Sequence, residues 1–262
     1  MKIFTIFGNP VSHSKSPLMH NNSFKAHNLK YCYTKTHLED GERLKEVFIS
    51  SNFKGANITV PHKEIAFRAC DEIDIEAKEI GAINTIIRRD GKLYGYNTDA
   101  PGFVKSIEEF DAKNILILGA GGTARAIAIA LKNRDYEVTV LNRSPKRLEF
   151  FSSKSIRTFS WDDFKVEAYD MVVNTTSAGL ADNSLPLEED LLVKLFEHSK
   201  YAIDIIYGKT TPFLALAQKH NQTTKDGGDM LLYQGVLAHQ IFTENVSDIK
   251  SVTKYMREGL EL

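Results

Sequence analysis

The chain has 262 residues, of which 42% are hydrophobic and 26% charged, and its formal net charge is -1. This length allows one large domain or two small ones with a sizeable apolar core. The near-zero net charge argues against nucleic acid as the main partner, because no basic excess is available to neutralise phosphates. Its apolar runs are too short to span a bilayer or to form a signal peptide. The two cysteines, Cys32 and Cys70, have no metal-type spacing, so we expect a cytoplasmic protein without a metal site.

Alternating strand and helix patterns fill the first hundred residues. Short apolar or alternating runs that end at Gly or Pro are typical of strands, and apolar residues every three to four positions are typical of helices. The predicted strands cover residues 3 to 7, 31 to 36 and 55 to 60, and the predicted helices cover 17 to 27, 39 to 50 and 65 to 80. A hairpin formed by 82 to 88 and 93 to 96 turns at Asp90-Gly91. These elements predict one α/β unit with a mixed sheet.

A second unit begins near Pro101 and opens with a helical stretch at 102 to 110. The continuous apolar run 114 to 118 is typical of a buried parallel strand. The glycine-rich turn 119 to 125, an Ala- and Ile-rich helix at 126 to 131 and a strand at 137 to 141 follow it. This order predicts the βαβ unit that opens a dinucleotide-binding domain. Further strands are predicted at 171 to 174 and 201 to 205, and the tail from 230 to 262 has helical spacing.

The glycine-rich turn has the composition needed to receive a diphosphate. Gly119 suits a tight turn, and Gly121 suits the close approach of an anion to backbone amides at a helix start. Ala124 occupies the third glycine position of the usual pattern, where a small residue still allows helix and strand to pack closely. An ordinary strand-to-helix turn is the alternative interpretation, but the apolar strand and helix on either side favour a cofactor site.

The end of the next strand indicates which nicotinamide cofactor binds. An NAD enzyme usually has Asp or Glu at this point to hold the ribose 2′-hydroxyl. This chain has Asn142-Arg143-Ser144-Pro145-Lys146-Arg147 instead. Arg143 and Arg147 can hold a 2′-phosphate by charge-assisted hydrogen bonds, whereas an acid would repel it. A solvated basic turn is the alternative, and the position after the glycine turn favours NADP.

Three groups of polar side chains in the first unit are candidates for a substrate site. The first is Ser14 and Ser16, which could also be simple caps of a helix that starts with Pro. The second combines Asn57 and Thr59, on one face of a strand, with Lys63 just beyond it, and the third combines Asn84 with residues 97 to 99. A lysine and a carboxylate can form a proton-transfer couple. Taken singly, Lys63 and Asp99 are more often surface charges, so this chemistry leaves their pairing open.

An ordered series of motifs resembles the shikimate dehydrogenase family, whose members are NADP-dependent shikimate/quinate dehydrogenases. The matching segments are GNPVSHSKSP at 8 to 17, GANITVPHKE at 55 to 64, GAINT at 81 to 85, GYNTD at 95 to 99, GAGGTAR at 119 to 125, NRS at 142 to 144, DIIY at 204 to 207 and DGGDMLLYQ at 226 to 234. One such segment would be weak, but the complete series in family order is specific.

The resemblance implies roles for individual residues. Lys63 and Asp99 would be the catalytic pair, with Lys63 as proton donor and acceptor. The implied substrate-binding residues are Ser14, Ser16, Thr59, Lys63, Asn84, Asp99, Tyr207 and Gln234. The implied cofactor-binding residues are Gly119, Ala120, Gly121, Gly122, Thr123, Asn142, Arg143, Ser144, Arg147, Ile205 and Gly227. Departures from the family pattern are Ser144 in place of a common Thr, Ile205 in place of a frequent Met, and His62 in place of a common Phe.

The resemblance also implies a fold and a reaction. A substrate domain at 1 to 100, completed by C-terminal helices at 231 to 262, would join a Rossmann-like NADP-binding domain at 101 to 230, with the active site in the cleft between them. The protein, as monomer or homodimer, would reduce 3-dehydroshikimate to shikimate in chorismate and aromatic amino-acid biosynthesis. Two alternatives remain open: a quinate/shikimate dehydrogenase with relaxed cofactor use, and a catalytically silent nicotinamide-binding regulator.

Overall fold

The computed structural model describes residues 1–262, which divide into two compact units. The first unit comprises residues 1–102 and 232–262, and the second comprises residues 103–231. Each unit is built on a six-stranded sheet. None of the helices combines the length and the apolar composition that crossing a bilayer requires.

Twelve strands and eleven α-helices make up the fold. The strands are β1 Lys2–Gly8, β2 Tyr31–His37, β3 Gly55–Ile58, β4 Glu72–Ile73, β5 Thr85–Arg89, β6 Lys92–Tyr96, β7 Asn114–Leu118, β8 Glu137–Asn142, β9 Arg157–Ser160, β10 Met171–Asn174, β11 Tyr201–Asp204 and β12 Thr223–Lys225. The helices are α1 Ser16–Ala26, α2 Leu44–Ser50, α3 Lys63–Ala69, α4 Ile75–Ile80, α5 Asp99–Ile107, α6 Gly122–Lys132, α7 Glu149–Ser153, α8 Glu189–Phe196, α9 Pro212–Lys219, α10 Gly228–Thr243 and α11 Ile249–Leu260.

The sheet of the first unit is mixed, which confirms the prediction. Its strand order is β2-β1-β3-β5-β6-β4. β1 runs parallel to β2 and β3, β5 runs antiparallel to β3 and β6, and the edge strand β4 runs parallel to β6.

Apolar side chains cover both faces of this sheet, and β1 contributes to both because its side chains alternate. Phe7 packs on one face with Phe48, in a cluster of buried apolar residues. Phe4 packs on the other face with Phe24 of α1 and Phe242 of α10, whose ring centroid lies 4.8 Å from that of Phe4. The C-terminal helices therefore complete the core of the first unit.

The prediction of a single helix at 65 to 80 is wrong, since α3 and α4 are separated by β4. The break occurs at Asp71, whose backbone N–H donates to the Leu93 carbonyl over 2.9 Å and whose carboxylate accepts from the Leu93 N–H over 2.8 Å. Asp74 then caps the start of α4, because its side chain accepts from the Glu76 N–H over 3.1 Å. Pairing with β6 and a new N-cap outweigh the helical spacing of the apolar residues.

The second unit has an entirely parallel sheet in the order β12-β11-β10-β7-β8-β9. This is the strand order of a doubly wound dinucleotide-binding fold, with the order reversing between β7 and β10. The glycine-rich turn directly follows β7, so it lies at the reversal point where such folds bind ligands. The short outer strands β9 and β12, and the helices α7, α8 and α9, were not predicted.

Candidate active site

Lys63 and Asp99 lie side by side in the first unit. Lys63 is the first residue of α3, and Asp99 is the first residue of α5. The Lys63 Nζ donates a hydrogen bond of 2.5 Å to Asp99 Oδ2, and the two side chains are only 14% and 10% exposed. By contrast, the side chains of the Lys45–Asp71 pair are 45% and 35% exposed. Water therefore screens the charges of the Lys63–Asp99 pair less than those of the Lys45–Asp71 pair. The short distance between Lys63 and Asp99 is the geometry that a proton-transfer couple requires.

Asn84 holds the other oxygen of Asp99. The Nδ2 of Asn84 donates to Asp99 Oδ1 over 2.8 Å and to Thr98 Oγ1 over 3.0 Å. The backbone N–H of Thr98 donates to Asn84 Oδ1 over 2.7 Å. Asn97 caps the start of α5, because its Oδ1 accepts from the backbone N–H groups of Asp99 and Ala100. Both the carboxylate and the helix that carries it are therefore fixed in orientation.

The two predicted serines are buried next to the start of α1. Ser14 Oγ donates to Ser16 Oγ over 3.2 Å and accepts from the Ser16 backbone N–H over 3.3 Å. Pro17 occupies the first turn of α1, where its fixed φ and missing N–H cost nothing. The two hydroxyl groups thus lie together at one helix start.

The other predicted substrate residues come from three further segments. Thr59 follows β3 and is half-buried, and its backbone N–H donates to the Phe7 carbonyl over 2.9 Å. Gln234 is half-buried in α10, whose backbone lies so close to α5 that a Cβ on Gly102 would come within 2.7 Å of the Gln234 nitrogen. Tyr207 is half-buried just after β11 and belongs to the second unit, whereas the other substrate candidates belong to the first.

The unusual residue before Lys63 is accommodated by local packing. His62 is buried, and its Nε2 donates to the Leu38 carbonyl over 2.7 Å, since a carbonyl can only accept.

Gly119 is required by the turn after β7. Its φ of +106° lies in the region that favours glycine. A Cβ at this position would also come within 2.9 Å of Thr175 Oγ1 and 3.0 Å of Thr176 Cγ2. Ala120 is buried behind the turn. The backbone of the turn therefore lies directly against the loop that follows β10.

The start of α6 is open to a ligand. Gly121 is the N-cap residue, and no side chain caps the helix. A Cβ built at Gly121 or Gly122 would meet no other atom within 4 Å. Thr123 follows in the first turn of the helix and is half-buried. Backbone amides at an uncapped helix start, with open space before them, fit the diphosphate of a dinucleotide.

The residues predicted to hold a 2′-phosphate follow β8. Asn142 Nδ2 donates to the Ser144 carbonyl over 3.0 Å, which shapes the turn. Arg143 and Arg147 are exposed, and the Arg143 guanidinium lies 5.9 Å from the centroid of the Trp161 ring. No acid stands at the end of β8, so two cations are presented where a 2′-phosphate would lie.

Ile205 and Gly227 lie together at the end of β11. Gly227 is buried, and its N–H donates to the Ile206 carbonyl over 3.0 Å. A Cβ on Gly227 would overlap the backbone of Ile205. The buried Asp204 accepts from the Ile206 N–H over 3.0 Å and from Thr211 Oγ1 over 2.6 Å. Burial raises the pKa of Asp204, and these hydrogen bonds oppose that shift.

Some residues next to the site were not assigned a role from the sequence. Thr175 and Thr176 lie against Gly119, and the polar run that follows β10 was the signal available for them. Tyr33 carries no local signal of a functional role, since it fits an ordinary strand pattern, and the only signal for Thr85 is its place in the motif GAINT at 81 to 85. For Asn57, the signals are the strand face that it shares with Thr59 and its place in the motif GANITVPHKE at 55 to 64.

Comparisons with known proteins agree with this arrangement. Residues 6–86 match the family model described as shikimate dehydrogenase substrate binding domain, and residues 103–202 match the one described as shikimate / quinate 5-dehydrogenase. A shikimate dehydrogenase (NADP(+)) of Helicobacter hepaticus is 44% identical over 99% of this chain and 94% of its own length. One of Helicobacter pylori is 41% identical over 98% of both chains.

A solved structure is similar over the same extent. Shikimate 5-dehydrogenase of Thermus thermophilus, in complex with NADP(H) and shikimate, has a TM-score of 0.86 and 34% identity. The similarity covers 99% of this chain and 100% of that one.

Proposed function

The chain belongs to the shikimate dehydrogenase family, and we propose that it catalyses the reversible NADPH-dependent reduction of 3-dehydroshikimate to shikimate. It is thus an NADP-dependent oxidoreductase that acts on a CH–OH group. The observation that carries the assignment to this chain is the largely buried contact of 2.5 Å between Lys63 Nζ and Asp99 Oδ2. A family member that had lost catalysis would have no reason to keep these two charges together and largely out of water.

The chain's own residues would bind the substrate and manage its proton. Lys63 and Asp99 would exchange a proton with the oxygen at C3 of the substrate, which is a carbonyl in one direction and a hydroxyl in the other. Asn84 holds Asp99 from the opposite side and would share the substrate hydroxyls. Ser14 and Ser16 offer two buried hydroxyls for hydrogen bonds with the remaining oxygens. Thr59, Tyr207 and Gln234 complete the proposed set. Fixing the substrate in one orientation supplies much of the rate.

The second unit has residues that fit NADP. The uncapped start of α6, with open space at Gly121 and Gly122, would hold the diphosphate together with Gly119, Ala120 and Thr123. The 2′-phosphate would be held by Arg143 and Arg147, with Asn142 and Ser144 shaping the turn, and Ile205 and Gly227 would line the nicotinamide side. When bound, NADPH supplies the hydride that reduces the carbonyl.

Two competing functions make different predictions. A quinate/shikimate dehydrogenase with relaxed cofactor use would turn over quinate and NAD at rates comparable to shikimate and NADP. The two arginines at the end of β8, with no acid beside them, disfavour NAD. A silent nicotinamide-binding regulator would bind the cofactor without turnover, and the intact Lys63–Asp99 contact disfavours it.

The decisive experiment is a steady-state assay of the purified chain. NADP reduction is measured at saturating shikimate, beside reactions in which NAD replaces NADP or quinate replaces shikimate. We expect the shikimate and NADP reaction to have the highest kcat/KM. Absence of turnover, with NADP binding retained in calorimetry, would favour the regulator. Equal use of quinate or NAD would favour the relaxed enzyme.

Two further properties belong to the same proposal. We propose a cytoplasmic location on the basis of the cysteines, which are few and not paired in a disulfide. We also propose a monomer or a homodimer, which light scattering of the purified protein distinguishes.

A further inference from the structure

A line of buried polar groups runs from strand β2 to the Asp99 carboxylate. The Tyr33 hydroxyl donates to Asn57 Oδ1 over 2.6 Å. Asn57 Nδ2 donates to Thr85 Oγ1 over 3.0 Å, and Thr85 Oγ1 donates to Asn84 Oδ1 over 3.0 Å. Asn84 Nδ2 donates to Asp99 Oδ1 over 2.8 Å. We call Tyr33, Asn57 and Thr85 the donor line, and it reaches Asp99 through Asn84.

Backbone groups fix the direction of every bond in this line. Asn57 Nδ2 also donates to the Asn84 carbonyl over 3.2 Å, and a carbonyl can only accept, so this amide cannot be reversed. The Asn84 side chain is fixed in the same way, because the Thr98 backbone N–H, which can only donate, contacts its Oδ1. With both amides fixed, the Tyr33 hydroxyl must donate to Asn57. All the hydrogen bonds therefore point toward the carboxylate.

The donor line lies in the buried layer that contains Phe4, Ile6 and Phe242. Strand register places Tyr33 opposite Phe4, Asn57 opposite Ile6 and opposite Thr85, all on the face of the sheet covered by α1 and α10. Tyr33 is 2% exposed, Asn57 5% and Thr85 0%. Polar groups buried like this stabilise a fold no better than apolar ones of the same shape would. Fully bonded chains in such surroundings polarise one another and hold a unique geometry.

The beginning of the line lies next to the serine pair. Burial raises the pKa of Tyr33 well above its usual value, and a hydrogen bond with the Ser16 side chain opposes that shift. Ser14 in turn donates to Ser16. The line therefore links the serine pair to the Asp99 carboxylate, and both belong to the proposed substrate site.

We infer that Tyr33, Asn57 and Thr85 are positioning residues that aim the Asn84 amide, and through it the Asp99 carboxylate, at Lys63. This inference rests on the proposed function, since it assigns these residues to the same proton-transfer couple. The Thr85 hydroxyl donates to the Asn84 oxygen beside the two Thr98 donors, and together they keep the Asn84 NH₂ group turned toward Asp99. Loss of that hydroxyl leaves the Asn84 oxygen with the N–H and the hydroxyl of Thr98 as its donors, so the amide is held from one side only and its orientation is less tightly defined.

Thr85→Val tests the inference, because it removes the hydroxyl and keeps the shape of the side chain. Thr85→Ser restores the hydroxyl and serves as the rescue variant. Thr5→Val is the matched control, since Thr5 is equally buried in the same sheet and bonds only to Thr34 and Thr36. The pH profile of kcat/KM, the separate values of kcat and KM for shikimate, and Tm are measured for each variant and for the wild type.

We expect Thr85→Val to lower kcat about tenfold, because a misplaced catalytic group costs rate more than binding. The KM for shikimate should change less than about threefold. The acid limb of the pH profile should move to higher pH, because a carboxylate with a poorer hydrogen bond is less favoured in its charged form. Thr85→Ser and Thr5→Val should retain the wild-type profile.

A lower Tm with an unchanged pH profile and kcat in Thr85→Val would overturn the inference and leave the line purely structural. A similar kcat loss in Thr5→Val would overturn it too. If Thr85→Val does not fold, Tyr33→Phe replaces it, because that change removes only the first donor and keeps the ring stacked on His20 at 4.3 Å. The same displacement of the acid limb, smaller in size, is then expected, and its absence counts against the inference. An inactive wild type would instead refute the proposed function.

Discussion

Replacing Lys63 with Ala removes the ammonium group that donates to Asp99 Oδ2 over 2.5 Å. The Asn84 hydrogen bond to the other carboxylate oxygen remains, so Asp99 keeps one of its two partners. Proton transfer by a positioned side chain typically contributes about 10²–10⁴-fold to the rate. At about 1.36 kcal/mol per factor of ten, this equals about 2.7–5.4 kcal/mol of transition-state stabilisation.

Substrate binding should suffer much less than the chemical step. Taken at the lower end of the range for charged groups, one hydrogen bond from Lys63 to the substrate is worth about 1.5 kcal/mol, or about a tenfold increase in KM. We therefore expect kcat to fall by at least about a hundredfold, while KM for shikimate rises by no more than about tenfold. Steady-state kinetics in both directions measure the two constants separately.

The Lys45→Ala variant is the matched control, because Lys45 also donates to an aspartate, Asp71, in the same unit but lies exposed. It should keep the wild-type kcat. Calorimetric binding of NADP to Lys63→Ala checks that the protein is folded and competent. A Lys63→Ala enzyme that binds NADP and retains kcat within about threefold of the wild type would refute the role of the pair.

Two further predictions concern the cofactor and the core. In the Arg143→Ala/Arg147→Ala double variant, we expect the KM for NADP to rise at least about tenfold, since each charged hydrogen bond is worth about 1.5–3 kcal/mol. The KM for NAD should hardly change, and the control variant Lys219→Ala should have the wild-type KM for both cofactors. An equal rise in KM for NADP and NAD would contradict the assignment. Burial lowers the pKa of His239 to about 3 in the folded protein. As the pH is lowered, the unfolded state therefore takes up the His239 proton before the folded state does. The free energy of unfolding should fall by about 1.4 kcal/mol per pH unit from about pH 6.5 down to about 3. Urea unfolding across that range should show a shallower slope for His239→Gln and an unchanged one for the exposed His198→Gln, and identical slopes for all three proteins would show that His239 does not contribute.

Local signals were sufficient where neighbouring residues decide the structure. The β7 strand, the turn at Gly119 and the start of α6 follow one another within a few residues, so apolar runs and glycine positions predicted them. The break at Asp71 could not be predicted, because it depends on pairing with Leu93 in another strand. The outer strand β12 has only the polar residues Thr223–Lys225, so it carries no apolar pattern from which a strand could be predicted.

The catalytic pair shows a second limit of sequence reasoning. Lys63 and Asp99 are 36 positions apart, and nothing in their chemistry alone requires them to meet. Their pairing was predicted only through the family resemblance, which supplied the motifs around each residue. The contact and the burial of both groups are now observed, and their roles in proton transfer stay predictions until the variants are assayed.

The donor line depends on how the strands are aligned with one another, which the sequence of a single strand does not reveal. In a strand, period-two alternation assigns Asn57 to one face, but it does not say which residues of other strands share that face. Only the pairing of Asn57 with Thr85, and of Ile6 with Asn57, places a hydroxyl and an amide in one row beneath α10. A shift of β3 by one residue would place Ala56 and Ile58 on that face and leave the Thr85 hydroxyl without the Asn57 amide that donates to it. Ala56 and Ile58 pack in the apolar cluster on the opposite face of β3, which opposes such a shift, so the packing of the core also maintains the geometry of the proposed catalytic carboxylate.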